Sequence, residues 1–492
     1  MDNESSNRTP AWWIALIPFA VLVGLLVLVI RFFGADALDG GSQVSLLIAS
    51  AVCIAIAMLV YKVSWKTLDE AIMDNVRSLG SAIFILLMIG AVSGSWMVSG
   101  VVPTLIYYGL KVLTPGIFLF AACVICALVS IVTGSSWTTI ATLGVAFIGI
   151  GDALGFSAGW TAGAVISGAY FGDKISPLSD TTVLASSTTG TPLFTHIRYM
   201  MITTVPSITI ASVIFLLVSI FHRGDASIHA GEISDALAGA FNLSPWLLLV
   251  PVFTGVLIAR KVPALATLFL SALAAGIVAL IAQPGIIAEI GGAADTGGTG
   301  ATLDFRSAFR GLWITWYGDT AVQTGSESLD SLIETGGMRG MLSTIFLIFC
   351  AGGFGGVLKG SGMIDSLTAM LTRRVSSRTG VVSSTVATGV FSNMVTGDQY
   401  LSIILVSNLF KELYEDKGYE SRLLSRSAED SATVTSVLIP WNSCGMTQAT
   451  VLKVPTLEYL PYCFFNIISP LMSVFIAAIG YKIFRTRDAD SC

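Results

Sequence analysis

The tightest constraint on this chain is its set of long apolar runs. Trp12 and Trp13 open a run that ends near Phe33, about the length a helix needs to cross a bilayer. Comparable runs follow at 43–61, 80–99, 115–132, 198–221, 245–259, 263–282, 341–358 and 457–480. In lipid such runs must be helical, because an open backbone finds no water to bond to. Composition agrees: 54% of residues are hydrophobic and 12% charged, about half the charged share of a soluble domain. The expected fold class is an all-α polytopic membrane protein. A dispersed net charge of −5 argues against nucleic acid as a partner. The first run is too long, and too poor in preceding basic residues, for a cleavable signal peptide.

Loop charges give an orientation. GADALDGGS (34–42) is acidic, whereas Lys62 and Lys66 follow the second run. Positive residues stay inside, so the N-terminus is expected in the cytoplasm. Residues 64–79 mix charge with apolar positions at helical spacing, as an interfacial helix does. Arg260 and Lys261 mark a cytoplasmic turn, and the polar stretch from Gln283 to Arg339 is expected mainly outside, with Leu312–Tyr317 dipping into the interface. Arg373, Arg374 and Arg378 return the chain to the inside, and Lys482, Arg485 and Arg487 leave the C-terminus there. The organisation read from this is a tail and two helices (1–63), a first transport repeat (64–222), a connector with two helices and an outer polar segment (223–340), and a second repeat with the last helix (341–492). Residues 224–243 are read as a polar connector.

Against this background, Thr133–Thr191 stands out. It is apolar enough for a membrane, yet rich in Ser, Thr and Gly, and it carries Asp173, Lys174 and Asp180. Ionisable residues at that depth point to a functional site. A second such stretch holds Asn393, Thr396, Asp398, Glu429, Asp430 and Asn442. Simple capping roles are open to Asp398 and Asn442, with Pro440 ending a helix. An internal repeat connects the two halves: Gly90, Gly94 and Gly100 fall on Gly352, Gly356 and Gly362, and Thr133-Gly134 answers to Thr396-Gly397. Asp180 is matched to Asp430. Opposite charge patterns around the lead helices make the repeat an inverted one, as in many secondary transporters.

The segments GSSWTTIATLGVAFIGIG (134–151), GAYFGDKISPLSDTTVLAS (168–186), TGDQYLSIIL (396–405) and EDSATVTSVLIPWN (429–442) resemble the NhaC family of sodium/proton antiporters, which includes malate/lactate antiporters and amino-acid transporters. The resemblance implies inverted repeats with re-entrant hairpins and discontinuous helices near the midplane. A buried carboxylate is relieved by either a proton or a cation, so one site can exchange the two. Asp173 and Asp180, with Asp430 as their counterpart, are the expected sodium ligands. Ser135, Ser136 and Thr138 would add oxygens from one broken helix, and Asn393, Thr396 and Asn442 from the other, with Asp398 a further carboxylate. An organic substrate would meet Gly134, Trp137 and Trp441. Lys174 either pairs with Asp173 or Asp180, holds an anionic substrate, or snorkels to the surface.

The expected function is sodium/proton exchange by alternating access in the cytoplasmic membrane, with sodium-coupled transport of an amino acid or small carboxylate as the alternative. Expected partners are the lipid bilayer, Na+, H+ and such a small solute; no interface for a homodimer is specified. No cofactor is expected: the three histidines lie apart from the cysteines, and all seven cysteines, Cys123 and Cys126 included, read as free thiols. No phosphate-binding loop appears, and no histidine lies near the Ser-rich motifs, so neither a nucleotide-driven pump nor an intramembrane protease is expected. No repeated pore filter suggests a channel.

Overall fold

The computed structural model describes residues 10–33, 40–221, 226–260, 262–292, 303–324, 330, 333–372 and 377–485. The loop charges at Asp36, Asp39, Lys261, Arg373, Arg374 and Arg487 lie outside these residues, as do Arg8, His222 and Cys492. Six described helices are long and apolar enough to cross a membrane, or up to nine if each of three bent pairs counts as one span. The six described cysteines are free and buried.

The first half runs through α1 (Ile17–Phe33), α2 (Gly41–Ala55) and α3 (Trp65–Ser78), which Ser64 caps by accepting from the Thr67 amide at 3.2 Å. It continues with α4 (Gly80–Val98), α5 (Val101–Val112), α6 (Phe118–Thr133), α7 (Ser136–Thr139), α8 (Val145–Ala153), α9 (Ala158–Ile175), α10 (Asp180–Thr189) and α11 (Leu193–Phe221). A π-helix, Ile140–Gly144, joins α7 to α8. The region 224–243 is not simply a connector: it contains α12 (Ala226–Ala240). There follow α13 (Leu249–Ala259), α14 (Ala264–Ala282) and α15 (Phe305–Tyr317). The second half has α16 (Leu342–Gly360), α17 (Met363–Thr372), α18 (Arg378–Thr396), α19 (Gln399–Asp416), α20 (Ser421–Ala428), α21 (Ser443–Leu452) and α22 (Phe464–Ile479).

The two halves repeat in detail. Each has a helix that stops at a left-handed glycine, Gly134 or Gly397, both with φ +66°. Only glycine takes that conformation without strain. The next residue, Ser135 or Asp398, caps the following helix with its side chain. The hydroxyl before each glycine closes the tip in the same way. Thr133 lies 3.2 Å from the Ser135 carbonyl and 3.2 Å from the Thr139 hydroxyl; Thr396 lies 2.9 Å from the Asp398 carbonyl and 2.9 Å from the Ser402 hydroxyl. Further along, Ser179 and Asn442 cap α10 and α21, which end at the left-handed Gly190 and Lys453. This register corrects one expectation. It sets Asp180 opposite Ser443, so Asp430 is not the counterpart of Asp180; it falls opposite Ser167.

Packing between the halves is reciprocal. α16 packs on α2 and α3, while α4 packs on α14 and α15. Likewise α10 lies against α19, and α21 against the π-helix and α8. The last run of the sequence is not one straight span: Thr456–Tyr462 and Phe464–Ile479 meet at 56°.

α6 and α9 meet closely because α9 presents glycine. A Cβ at Gly172 would stand 2.5 Å from the Ala127 carbonyl oxygen and 2.6 Å from the Ile131 amide nitrogen. Small residues allow such backbone approach in membrane helices. Gly172→Val should therefore destabilise by about 1–3 kcal/mol, read as a lower melting temperature in detergent. An unchanged melt would mean that α6 and α9 do not pack as described.

Candidate functional site

The site forms where the first hairpin tip, the α9–α10 turn and the start of α19 converge. Around a cavity of about 270 Å³ stand Thr133, Gly134, Ser135, Trp137 and Thr138 from the tip, and Asp173, Asp180 and Thr181 from the turn. Gln399 and Tyr400 come from the second hairpin, and Ile258, Val262, Pro263, Ala264 and Thr267 around the α13–α14 turn close another side. Gly134 is packed so tightly on Leu178 that an added Cβ would lie 2.7 Å from it. The tip and the turn are thus held as one unit.

Asp173 sits in the last turn of α9 and is buried. Its Oδ2 accepts from the Ser136 amide at 3.1 Å and the Ser136 hydroxyl at 2.6 Å. Its Oδ1 accepts from the Ser179 hydroxyl at 2.6 Å. Asp180, the first residue of α10, is exposed at the cavity wall. Ser135 accepts from the Thr138 amide at 3.2 Å, and the Thr138 hydroxyl lies 3.1 Å away. Carboxylates and hydroxyls of this kind are hard oxygen ligands, suited to a hard cation.

Four of the expected ion ligands (Asp173, Asp180, Ser135 and Thr138) therefore share one cavity, with Ser136 holding Asp173. Gly134 and Trp137 line the same space. The remaining candidates do not. Asp398 accepts from the amides of Tyr400 and Leu401 at 2.9 and 3.0 Å, and from the Ser443 hydroxyl at 3.2 Å. Asn442 accepts from the Cys444 amide at 3.0 Å and donates to the Asn393 carbonyl at 3.1 Å. Asn393 donates to the Ala432 carbonyl at 2.6 Å and the Thr435 hydroxyl at 3.0 Å. Trp441 donates to the Met394 carbonyl at 2.7 Å. Together with Thr396 these residues brace the second hairpin, with Asp398 and Asn442 in the capping roles left open above.

Asp430 lies elsewhere, so the three-carboxylate sodium site is corrected. Among the described residues, no three His, Cys, Asp or Glu side chains converge to hold an ion. Asp430 forms a wholly buried ion pair with Lys174. It also accepts from Thr203 at 3.1 Å and Ser469 at 3.2 Å, and Arg426 approaches to 3.9 Å. Lys174 is 0% exposed, so it neither snorkels nor pairs with Asp173 or Asp180. The reason is helical geometry: successive residues point about 100° apart, so Asp173 faces the cavity while Lys174 faces α22.

Sequence reasoning did not single out Arg426, Ser179, Thr181 or Gln399. A signal existed for Arg426, which precedes Asp430 by four residues and so shares its helix face. Thr181 and Gln399 are polar residues beside motifs, and only the tertiary structure brings them to the cavity.

A sequence profile described as the Na+/H+ antiporter family matches residues 3–189 and 168–481. The Na+/H+ antiporter NhaC of Alkalihalophilus pseudofirmus is 37% identical, over 88% of this chain and 90% of its own length. The malate-2H+/Na+-lactate antiporter of Bacillus subtilis is 33% identical, over 86% of each chain. The arginine/ornithine antiporter ArcD of Halobacterium salinarum is 34% identical, over 100% of this chain and 96% of its own. The chain belongs to the Na+/H+ antiporter family, whose members are membrane transporters and not enzymes.

Proposed function

We propose that this protein exchanges sodium for protons across the cell membrane, with the ion held at Asp173 and Asp180. The observation that carries this reading is the cavity itself. Two carboxylates and several hydroxyls face one space, and among the described residues no Lys or Arg lines it. Such a lining favours a cation. A proton and a sodium ion compete for the same oxygens, so binding of one releases the other, and alternating exposure of the cavity turns that competition into exchange. The loop charges support a cytoplasmic position for both termini.

A second reading has one observation behind it. The cavity is much larger than a bare sodium ion needs, and its acidic lining suits the ammonium or guanidinium end of an amino acid. The same lining makes a lone carboxylate such as malate or lactate the poorer fit. The test uses purified protein in liposomes loaded with a pH-sensitive dye. Sodium alone should collapse an imposed proton gradient. Asp180→Asn should raise the half-maximal sodium concentration about tenfold, corresponding to about 1.4 kcal/mol. A response that needs a cationic amino acid would replace sodium/proton exchange with the second reading.

A further inference from the structure

The second half of the molecule holds a neutral copy of the contact that fixes Asp173. In the register set by the hairpin tips and by the caps Ser179 and Asn442, Ser136 falls on Gln399 and Asp173 on Ser436. In the first half the hairpin hydroxyl donates to the carboxylate, Ser136 Oγ to Asp173 Oδ2 at 2.6 Å. In the second half the same two places meet again, with Ser436 Oγ 3.4 Å from Gln399 Oε1. The oxygen-bearing group has moved to the hairpin, and the carboxylate has no counterpart at Ser436.

Gln399 is 2% exposed, and it borders the cavity that Asp173 and Asp180 line from the opposite half. Its carboxamide is poorly held. A hydroxyl has one proton to give, and Ser436 has a better acceptor in the Thr433 carbonyl at 2.7 Å. At 3.4 Å the Gln399 oxygen lies beyond the ordinary reach of an O–H donor. Among the described residues, the Gln399 side chain makes no other hydrogen bond. A buried amide with its bonds unmade needs a reason, and the cavity beside it supplies one. We propose that Gln399 is an ion ligand and a determinant of ion specificity, its side-chain carbonyl completing the cation site from the second half. Turning the carboxamide over about its last bond gives the Ser436 oxygen an N–H to accept and frees the carbonyl for the ion.

The occupant this suits is a small alkali cation, sodium or lithium. An amide carbonyl is a hard oxygen ligand, and it adds coordination without adding charge. Its place matters as much as its chemistry. Asp173 and Asp180 belong to the first half, whereas Gln399 is the first residue of α19, the return helix of the second hairpin. α10, which Asp180 opens, lies against α19. A cation held by both sides ties the two hairpins together, at the interface between repeats where coupling ions bind in transporters of this architecture. A proton satisfies a single carboxylate oxygen and makes no such bridge. The two exchanged species therefore differ in what they hold together.

This inference rests on the cation-exchange reading, and one preparation tests the two separately. Proteoliposomes of the full chain, loaded with a pH-sensitive dye, are titrated with sodium and with lithium. Gln399→Leu keeps most of the volume and loses the oxygen. Its half-maximal sodium concentration should rise about fivefold, less than for Asp180→Asn because a neutral oxygen holds a cation less strongly than a charge does. The ratio of the lithium to the sodium value should shift as well, which a merely structural role would not produce. Gln399→Glu keeps an oxygen at the same place, so its sodium value should stay at or below wild type. A Gln399→Leu titration that matches wild type for both ions would overturn the proposal, as would a Gln399→Glu variant impaired like Gln399→Leu. If Gln399→Leu does not fold, the Gln399→Glu titration decides alone. Wild-type protein without a sodium response would instead overturn the exchange reading, and this inference with it.

Discussion

Asp173→Asn should abolish sodium-driven proton flux, whereas Asp398→Asn should leave it within about twofold of wild type, since Asn caps a helix about as well as Asp. Both carboxylates are buried beside a hairpin tip, but they do different things there. Asp173 lines the cavity and takes all its hydrogen bonds from Ser136 and Ser179. An amide fits the same space, and the serine hydroxyls can rotate to accept from it, so the fold should survive while the charge is lost. Asp398 spends one oxygen on the amides of Tyr400 and Leu401 and does not line the cavity. Asp398→Ala should instead cost about 0.5–2 kcal/mol through loss of the cap. Dye-based proton flux and a thermal melt on each variant separate these effects. Flux that survives in Asp173→Asn, or vanishes in Asp398→Asn with an unchanged melt, would move the coupling carboxylate to the second hairpin.

The sequence made the spans legible because apolar length is a direct requirement of the bilayer. It also showed the hairpin tips, since Gly134 and Gly397 mark positions where backbone conformation dictates the residue. It misplaced Asp430 because two Ser-rich acidic segments look alike in one dimension. The register is fixed instead by Ser179 and Asn442, which share a capping role but not an identity. α9, α18 and α20 did not stand out as helices. They carry many Gly, Ser and Thr residues, and their stability comes from surrounding protein rather than from lipid. For Lys174 the sequence leaves pairing with Asp173 or Asp180, a substrate contact and a surface position all open, whereas its partner lies 256 residues away. Contacts of that separation have no local signature.

That long-range pair leads to the largest expected effect on stability. Asp430→Asn should destabilise the protein by about 3–5 kcal/mol, the usual consequence of breaking a buried ion pair from one side. It leaves Lys174 and Arg426 both buried, with their shared carboxylate gone. Lys174→Met should cost less, because Asp430 still faces Arg426 and the methionine fills most of the lysine's volume. The double variant gives the sharpest result. Removing Lys174 together with Asp430 takes away one stranded cation, so Lys174→Met/Asp430→Asn should melt at a higher temperature than Asp430→Asn alone. Contacting residues routinely show such non-additive coupling. A double variant less stable than Asp430→Asn would mean that Lys174 is stabilised by something other than Asp430.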